Sequence, residues 1–188
     1  GRAYTLLSDQ SQRATVRKLV ADALRYNADE TKAHLVLGRL AHEERKFATA
    51  VRHLEIAFEL LPTFDDARKQ LTRSLAALGF AQLFSKNEEG TTDAWLRCLE
   101  VAPTDFDKET VERQLKLAWT RLEGRGLKRS KNGDIDGAIA DFRRCLKIDP
   151  EMHWAAWLLA TALQAQENVD LVELEGLCRK ALAFQLKN

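Results

Sequence analysis

Two sets of small and helix-ending residues lie 88 positions apart and share one spacing. Gly38, Ala50, Ala57 and Pro62 are separated by 12, 7 and 5 residues, and Gly126, Ala138, Cys145 and Pro150 repeat the 12, 7 and 5. The apolar residues keep the same offset. Phe47, Ala50, Val51, Leu54, Ala57 and Phe58 form one set, and Ile135, Ala138, Ile139, Phe142, Cys145 and Leu146 form the other. Each set recurs at helical spacing and so makes one apolar stripe. Asp134, just after Gly133, reads as an N-cap, and Pro150 stops the helix. Gly126, Ala138 and Cys145 sit where two helices must approach closely. The unit is therefore a helix, a tight turn and a second helix, and a fixed internal period of such units signals a helical solenoid.

Composition narrows the functional classes. With 29 basic and 28 acidic residues, no bulk field draws the chain to nucleic acid or to a membrane. No apolar run approaches the roughly 20 residues of a membrane span, and no signal peptide is visible. The chain opens Gly-Arg-Ala and holds one methionine, Met152. We therefore expect a piece of a longer protein, cytoplasmic in location, whose targeting segments could lie elsewhere. Three cysteines, Cys98, Cys145 and Cys178, argue against a disulfide framework. Cys98 and Cys145 each precede a proline by 5 residues, as Ala57 does, so both are expected as small buried residues.

Along the chain, residues 1–9 suggest the tail of a first helix, with Gly1 and Tyr4. Residues 11–27 suggest the next, with Val16, Leu19, Val20, Ala23 and Leu24 on one face. A partial repeat over 1–30 then leads into repeats at about 31–64, 65–104, 105–150 and 151–186, a single array spanning 1–188. The second repeat is about seven residues over length, an excess assigned to Phe80–Thr91, as extra helix or as a loop through Ser85–Gly90. Thr104 and Asp107 suggest a capping box that opens a long helix over 105–131. Val111, Leu115, Ala118, Trp119 and Leu122 continue its stripe, and Gly124 and Gly126 each weaken it by up to about 1 kcal/mol relative to Ala. In the last repeat Leu174, Leu177, Cys178, Ala181 and Leu182 are expected to face inward.

These motifs resemble the tetratricopeptide repeat (TPR) family. Its period of about 34 residues runs Trp-x2-Leu-Gly-x2-Tyr, then Ala-x3-Phe, then Pro. The chain shows Leu37-Gly38, Ala138-x3-Phe142, Pro62, Pro103 and Pro150, with His34 and Ala41 where Trp and Tyr would stand. The resemblance implies an all-α solenoid of roughly nine or ten antiparallel helices, wound as a right-handed superhelix. It also implies a protein–protein interaction scaffold or adaptor, not itself an enzyme, that binds a peptide or partner protein in a concave groove lined by the first helices. The alternative is the repeat arm of a larger enzyme, of glycosyltransferase or sulfotransferase type, that positions its substrate.

Carried over by position, the groove takes Lys32, Leu35, Arg39, His42 and Glu43 from one repeat and Asp66, Lys69 and Arg73 from the next. Cations outnumber acids there, so the partner expected is an acidic peptide or a free carboxylate terminus. Leu35 and Arg39 replace the first Lys and Asn of the set with which chaperone-binding members hold a terminal carboxylate, which argues against that partner. Trp154 and Trp157 depend on register. With Ala160 as the small residue of the last repeat, both reach the groove as anchors; a slip of one makes Trp157 core, and that register is the expected one, with Trp154 alone in the groove. Arg121, Arg125, Lys128 and Lys131 fall along one side of a helix, but few aromatics interleave with them. A solvated face is the expectation there and nucleic acid is not. The sequence has no HExxH, no CxxC and no phosphate-binding Gly-rich loop. His34, His42, His53 and His153 form no i, i+4 pair, so no metal, cofactor or catalytic residue is expected.

Overall fold

The computed structural model describes residues 10–27, 30–166 and 169–185, and these residues contain helices and no strand. The expectation for residues 1–9 lies outside them. The helices are α1 (Gln10–Tyr26), α2 (Thr31–Glu43), α3 (Phe47–Leu60), α4 (Asp65–Phe84), α5 (Glu88–Val101), α6 (Glu109–Lys131), α7 (Ile135–Ile148), α8 (His153–Leu163) and α9 (Leu171–Gln185). They form two compact units, Gly1–Val111 and Glu112–Asn188. In the first, α2 packs on α3, α3 on α4, and α4 on α5. In the second, α7 packs on α8 and α8 on α9. The chain is an all-α, TPR-like stack of antiparallel helix pairs. No described helix is long and apolar enough to cross a membrane.

The hairpins are built alike because their small residues do the same work. Gly38, Gly79 and Gly126 each lie in a first helix, and a Cβ on each would strike a large side chain 16 residues later: Leu54, Trp95 and Phe142 respectively. Those three side chains are no more than 1% exposed. The helices therefore meet at glycine, backbone against ring or branched side chain. Ala50, Ala57 and Ala138 are fully buried beside them, as their spacing requires.

Gly79 brings a correction. Gly79, Thr91, Cys98 and Pro103 reproduce the 12, 7, 5 ladder in the second repeat, so Phe80–Thr91 holds no excess. The additional seven residues lengthen α4 at its N-terminal end. Likewise α6 starts at Glu109, not at 105. Pro103–Lys108 is a connection, and Asp107 Oδ1 accepts from the Glu109 N–H at 3.1 Å, so the capping box on Thr104 does not form.

The tight turns inside three hairpins share one hydrogen-bond scheme. Lys46, Asn87 and Asp134 N–H groups donate to the carbonyls of Ala41, Gln82 and Arg129, while Arg45, Lys86 and Gly133 donate to His42, Leu83 and Ser130. This is the Schellman ending that satisfies the last carbonyls of a helix. Its central residue needs a left-handed backbone, with φ of 60° at Arg45, 60° at Lys86 and 82° at Gly133. Asp134 caps α7 as expected, with Oδ1 accepting from the Gly137 N–H at 3.0 Å.

Three inward assignments and one outward one need correcting. Leu19 is 65% exposed and Leu182 is 56% exposed, so the stripes of α1 and α9 are narrower than their sequences suggest. Ala23 is exposed as well. Arg125, placed on a basic surface stripe, turns inward. Its Nε and Nη2 donate to Asp141 at 2.9 and 2.6 Å, and Arg129 adds a bond of 2.9 Å. Asp141 itself is fully buried.

Candidate functional site

The first helices hold the candidate groups, and each unit has its own set. In the second unit, Trp154 and Trp157 lie three residues apart on α8 and are 48% and 47% exposed. Their rings stack at 4.7 Å between centroids with 17° between planes. Trp154 Nε1 donates to Glu123 Oε1 on α6 at 2.7 Å. Residues that pack beneath this surface fix α8 in place: Ala155, Ala156, Leu158 and Leu159 are buried. Trp157 is thus a surface residue and not a core one, which is the register with Ala160 as the small position. Large aromatic rings held rigidly at a surface bind other proteins well, since little side-chain entropy is left to lose.

In the first unit, the residues predicted for a groove divide. Lys32, Lys69 and Arg73 are exposed, while Arg39 and His42 are half-buried. Leu35 is only 1% exposed; it belongs to the core and offers no contact surface. Lys69 forms an ion pair with Asp105 at 3.4 Å. Lys69, Thr72 and Arg73 line a recess with Pro103, Asp105 and Phe106. The ladder also changes the register. Lys32 stands 6 residues before Gly38, and Arg73 stands 6 before Gly79. Arg73 is therefore the counterpart of Lys32, not of Arg39. Asp66 and Lys69 lie on the added N-terminal turns of α4.

The histidines are tied into the first unit. His42 Nδ1 lies 2.9 Å from Ser74 Oγ, joining α2 to α4. His34 and His53 meet Nδ1 to Nδ1 at 3.2 Å across the α2–α3 hairpin. That contact needs one ring nitrogen to donate and the other to accept, so at least one ring must be neutral. Burial, then the Arg73 charge, lowers the His42 pKa against an opposing pull from Glu43. Burial, then His34 and Arg52, lowers that of His53. Both groups therefore take up protons more readily in the unfolded chain. Their contribution is intact above the ordinary histidine value near 6.5 and is lost as pH falls through the depressed folded values. We expect the thermal midpoint of the first unit to drop between pH 7 and pH 5. His53→Gln should reduce that slope, and an identical slope in the variant would contradict the assignment.

Cys98 and Cys145 are buried small residues, as expected. Burial raises their pKa values to about 11 and about 12. Each thiol points at a first-helix carbonyl, of Thr72 at 3.4 Å and of Trp119 at 3.7 Å. Among the described residues, no three His, Cys, Asp or Glu side chains gather as a metal site.

A stack of helix pairs meeting at glycine, with aromatic and cationic side chains on its first helices, defines a tetratricopeptide-like helical-repeat array. No family model matches the chain, and no curated protein is significantly similar to it. Among solved structures, it is similar to a TPR repeats protein from Bacteroides fragilis NCTC 9343, at 14% identity over 97% of this chain and 87% of that one, with a TM-score of 0.42. It is also similar to the TPR2AB domain of yeast Sti1, solved in complex with pHSP90, at 18% identity over 92% and 70%, with a TM-score of 0.37. YrrB, described as a TPR protein with an unusual peptide-binding site, matches at 16% identity over 89% and 92%, with a TM-score of 0.34.

Proposed function

We propose that the chain is a protein-interaction scaffold that engages partner segments on the exposed faces of its first helices and has no catalytic centre of its own. The observation that carries this reading is the Trp154–Trp157 stack. Two indoles of the array stand half-exposed, and one is oriented by a hydrogen bond to Glu123. Buried aromatic anchors dominate most interfaces. In the first unit, Lys32 and Arg73 occupy equivalent places in successive first helices, and with Arg39, His42 and Lys69 they favour an acidic segment. Exposed ion pairs contribute only about 0–1 kcal/mol each, so affinity there is modest and salt-sensitive.

The test is peptide selection on the immobilised full chain, followed by calorimetry of the enriched peptides. A Trp154→Ala, Trp157→Ala double variant should bind peptides selected on the second unit at least tenfold more weakly. A Lys32→Glu, Arg73→Glu variant should weaken acidic peptides and flatten their salt dependence. Helicity should stay unchanged in both. If neither variant alters the affinity of any enriched peptide, the binding surface lies elsewhere and the reading fails.

A further inference from the structure

We infer that Trp154, Trp157 and Glu123 form a receptor for an arginine side chain presented by a partner segment; the inference rests on the scaffold reading above. The two indoles are nearly parallel, so each spends one face on the other and keeps its outer face for a ligand. An indole face carries negative potential and attracts a cation. Glu123 sits at the edge of the Trp154 ring, held by the Nε1–H donor. A carboxylate has about four acceptor positions, and the indole uses one.

The carboxylate decides between a cationic and an apolar guest. A leucine or phenylalanine seated on this stack would strip water from Glu123 and return no hydrogen bond, which is unfavourable. A cation gains from the ring and from the carboxylate together. Arginine fits better than lysine. Its planar guanidinium stacks flat on an aromatic ring while its in-plane N–H groups reach a neighbouring carboxylate, and an ammonium cannot do both equally well. The receptor is also preorganised. Its members stand on α6 and α8, whose Leu122 and Ala155 share one buried cluster, and the Glu123 bond fixes the Trp154 ring before any ligand arrives.

The test uses the full chain labelled with 15N and three peptides identical except for a central arginine, citrulline or leucine. Trp154→Phe and Trp157→Phe variants assign the two indole N–H signals. The arginine peptide should shift both signals and bind at least tenfold more tightly than the citrulline peptide, which keeps the shape without the charge. Glu123→Gln still accepts from Trp154, and it should bring the arginine peptide down to the citrulline level. Equal binding of all three peptides, or tighter binding of the leucine peptide, would overturn the inference and leave the aromatic anchor of the scaffold reading in place. So would a fourth peptide, with lysine at that place, that matches the arginine one, or an unchanged affinity in Glu123→Gln. No indole shift with millimolar arginine peptide also refutes it. The scaffold reading then stands or falls on whether selected peptides lose affinity in the double tryptophan variant.

Discussion

Replacing Asp141 with alanine should destabilise the Glu112–Asn188 unit by about 2–4 kcal/mol, the largest effect we expect from one side chain. Asp141 is fully buried and accepts from Arg125 at 2.9 and 2.6 Å and from Arg129 at 2.9 Å. Removing one partner of a buried ion pair costs roughly 3–5 kcal/mol, because the remaining charge is left uncompensated. Here the groups that lose Asp141 are guanidiniums whose side chains are 34% and 37% exposed. Water reaches them, so the expected loss lies about 1 kcal/mol below that range. Arg129 also donates to the Gly137 carbonyl at 3.2 Å and pairs with Asp134 at 3.4 Å, so it keeps two anchors in the variant. Urea unfolding followed by tryptophan fluorescence measures the loss as a lower midpoint at constant slope. A change below about 1 kcal/mol would mean that the cluster is far better hydrated than its burial indicates.

Two glycines in α6, two residues apart, should respond to alanine with opposite signs. A Cβ at Gly126 would lie 2.6 Å from Phe142 Cε1 and 3.0 Å from two further ring carbons. Phe142 is 1% exposed and packed among Leu158, Leu159 and Leu163, so the ring has nowhere to go. Overpacking of this kind costs about 1–3 kcal/mol, against about 1 kcal/mol gained in helix propensity. Gly126→Ala should therefore lose up to about 2 kcal/mol net. At Gly124 an added Cβ meets nothing within 4 Å, so Gly124→Ala should gain up to about 1 kcal/mol. Parallel thermal melts give the comparison. Equal shifts in the same direction would show that the hairpin opens to admit the methyl group.

The two glycines also mark how much was legible in the sequence. The ladder of small residues disclosed the hairpins, their turns and the buried faces of α3 and α7, because glycine, alanine and cysteine at fixed spacing have one structural use there. Sequence alone weighed Gly124 and Gly126 alike as helix-weakening, since propensity is blind to what lies across the interface. A uniform period of 34 puts Arg73 opposite Arg39, although Leu78-Gly79 copies Leu37-Gly38. A helix that grows at its outer end carries no punctuation to show where the growth lies. Counting 12, 7 and 5 back from Pro103 would have located it.

The surface was harder to read. Trp157 differs between core and solvent by one residue of register, a rotation of about 100° on a helix, and nothing in the composition of α8 decides that. Leu35 was drawn to the groove by position alone and is in fact buried. Arg125 looked solvated because its partner, Asp141, is 16 residues away, and the spacing of charges within a helix cannot disclose a carboxylate on its neighbour. The Glu123–Trp154 bond spans 31 residues and was hidden for the same reason.

The uneven lengths of α4 and α6 follow a simple rule of insertion. From Glu30 to Gly38, and again from Met152 to Ala160, the chain runs 8 residues from helix start to small position; from Phe64 to Gly79 it runs 15. The difference of seven is two helical turns to within about 20°. The glycine thus returns to the same azimuth, and the entering turn at 61–64 keeps the bonding of 149–152: Phe64 donates to Leu61 as Met152 donates to Asp149. From Lys108 to Gly126 the run is 18, ten more than the short form, which leaves the phase about 80° short of three whole turns. There the four-residue entry is replaced by the longer 102–108 connection. An array of this kind therefore absorbs seven added residues silently, while other lengths must be answered by rebuilding the linker. Its evolution by insertion is quantised by the pitch of the helix.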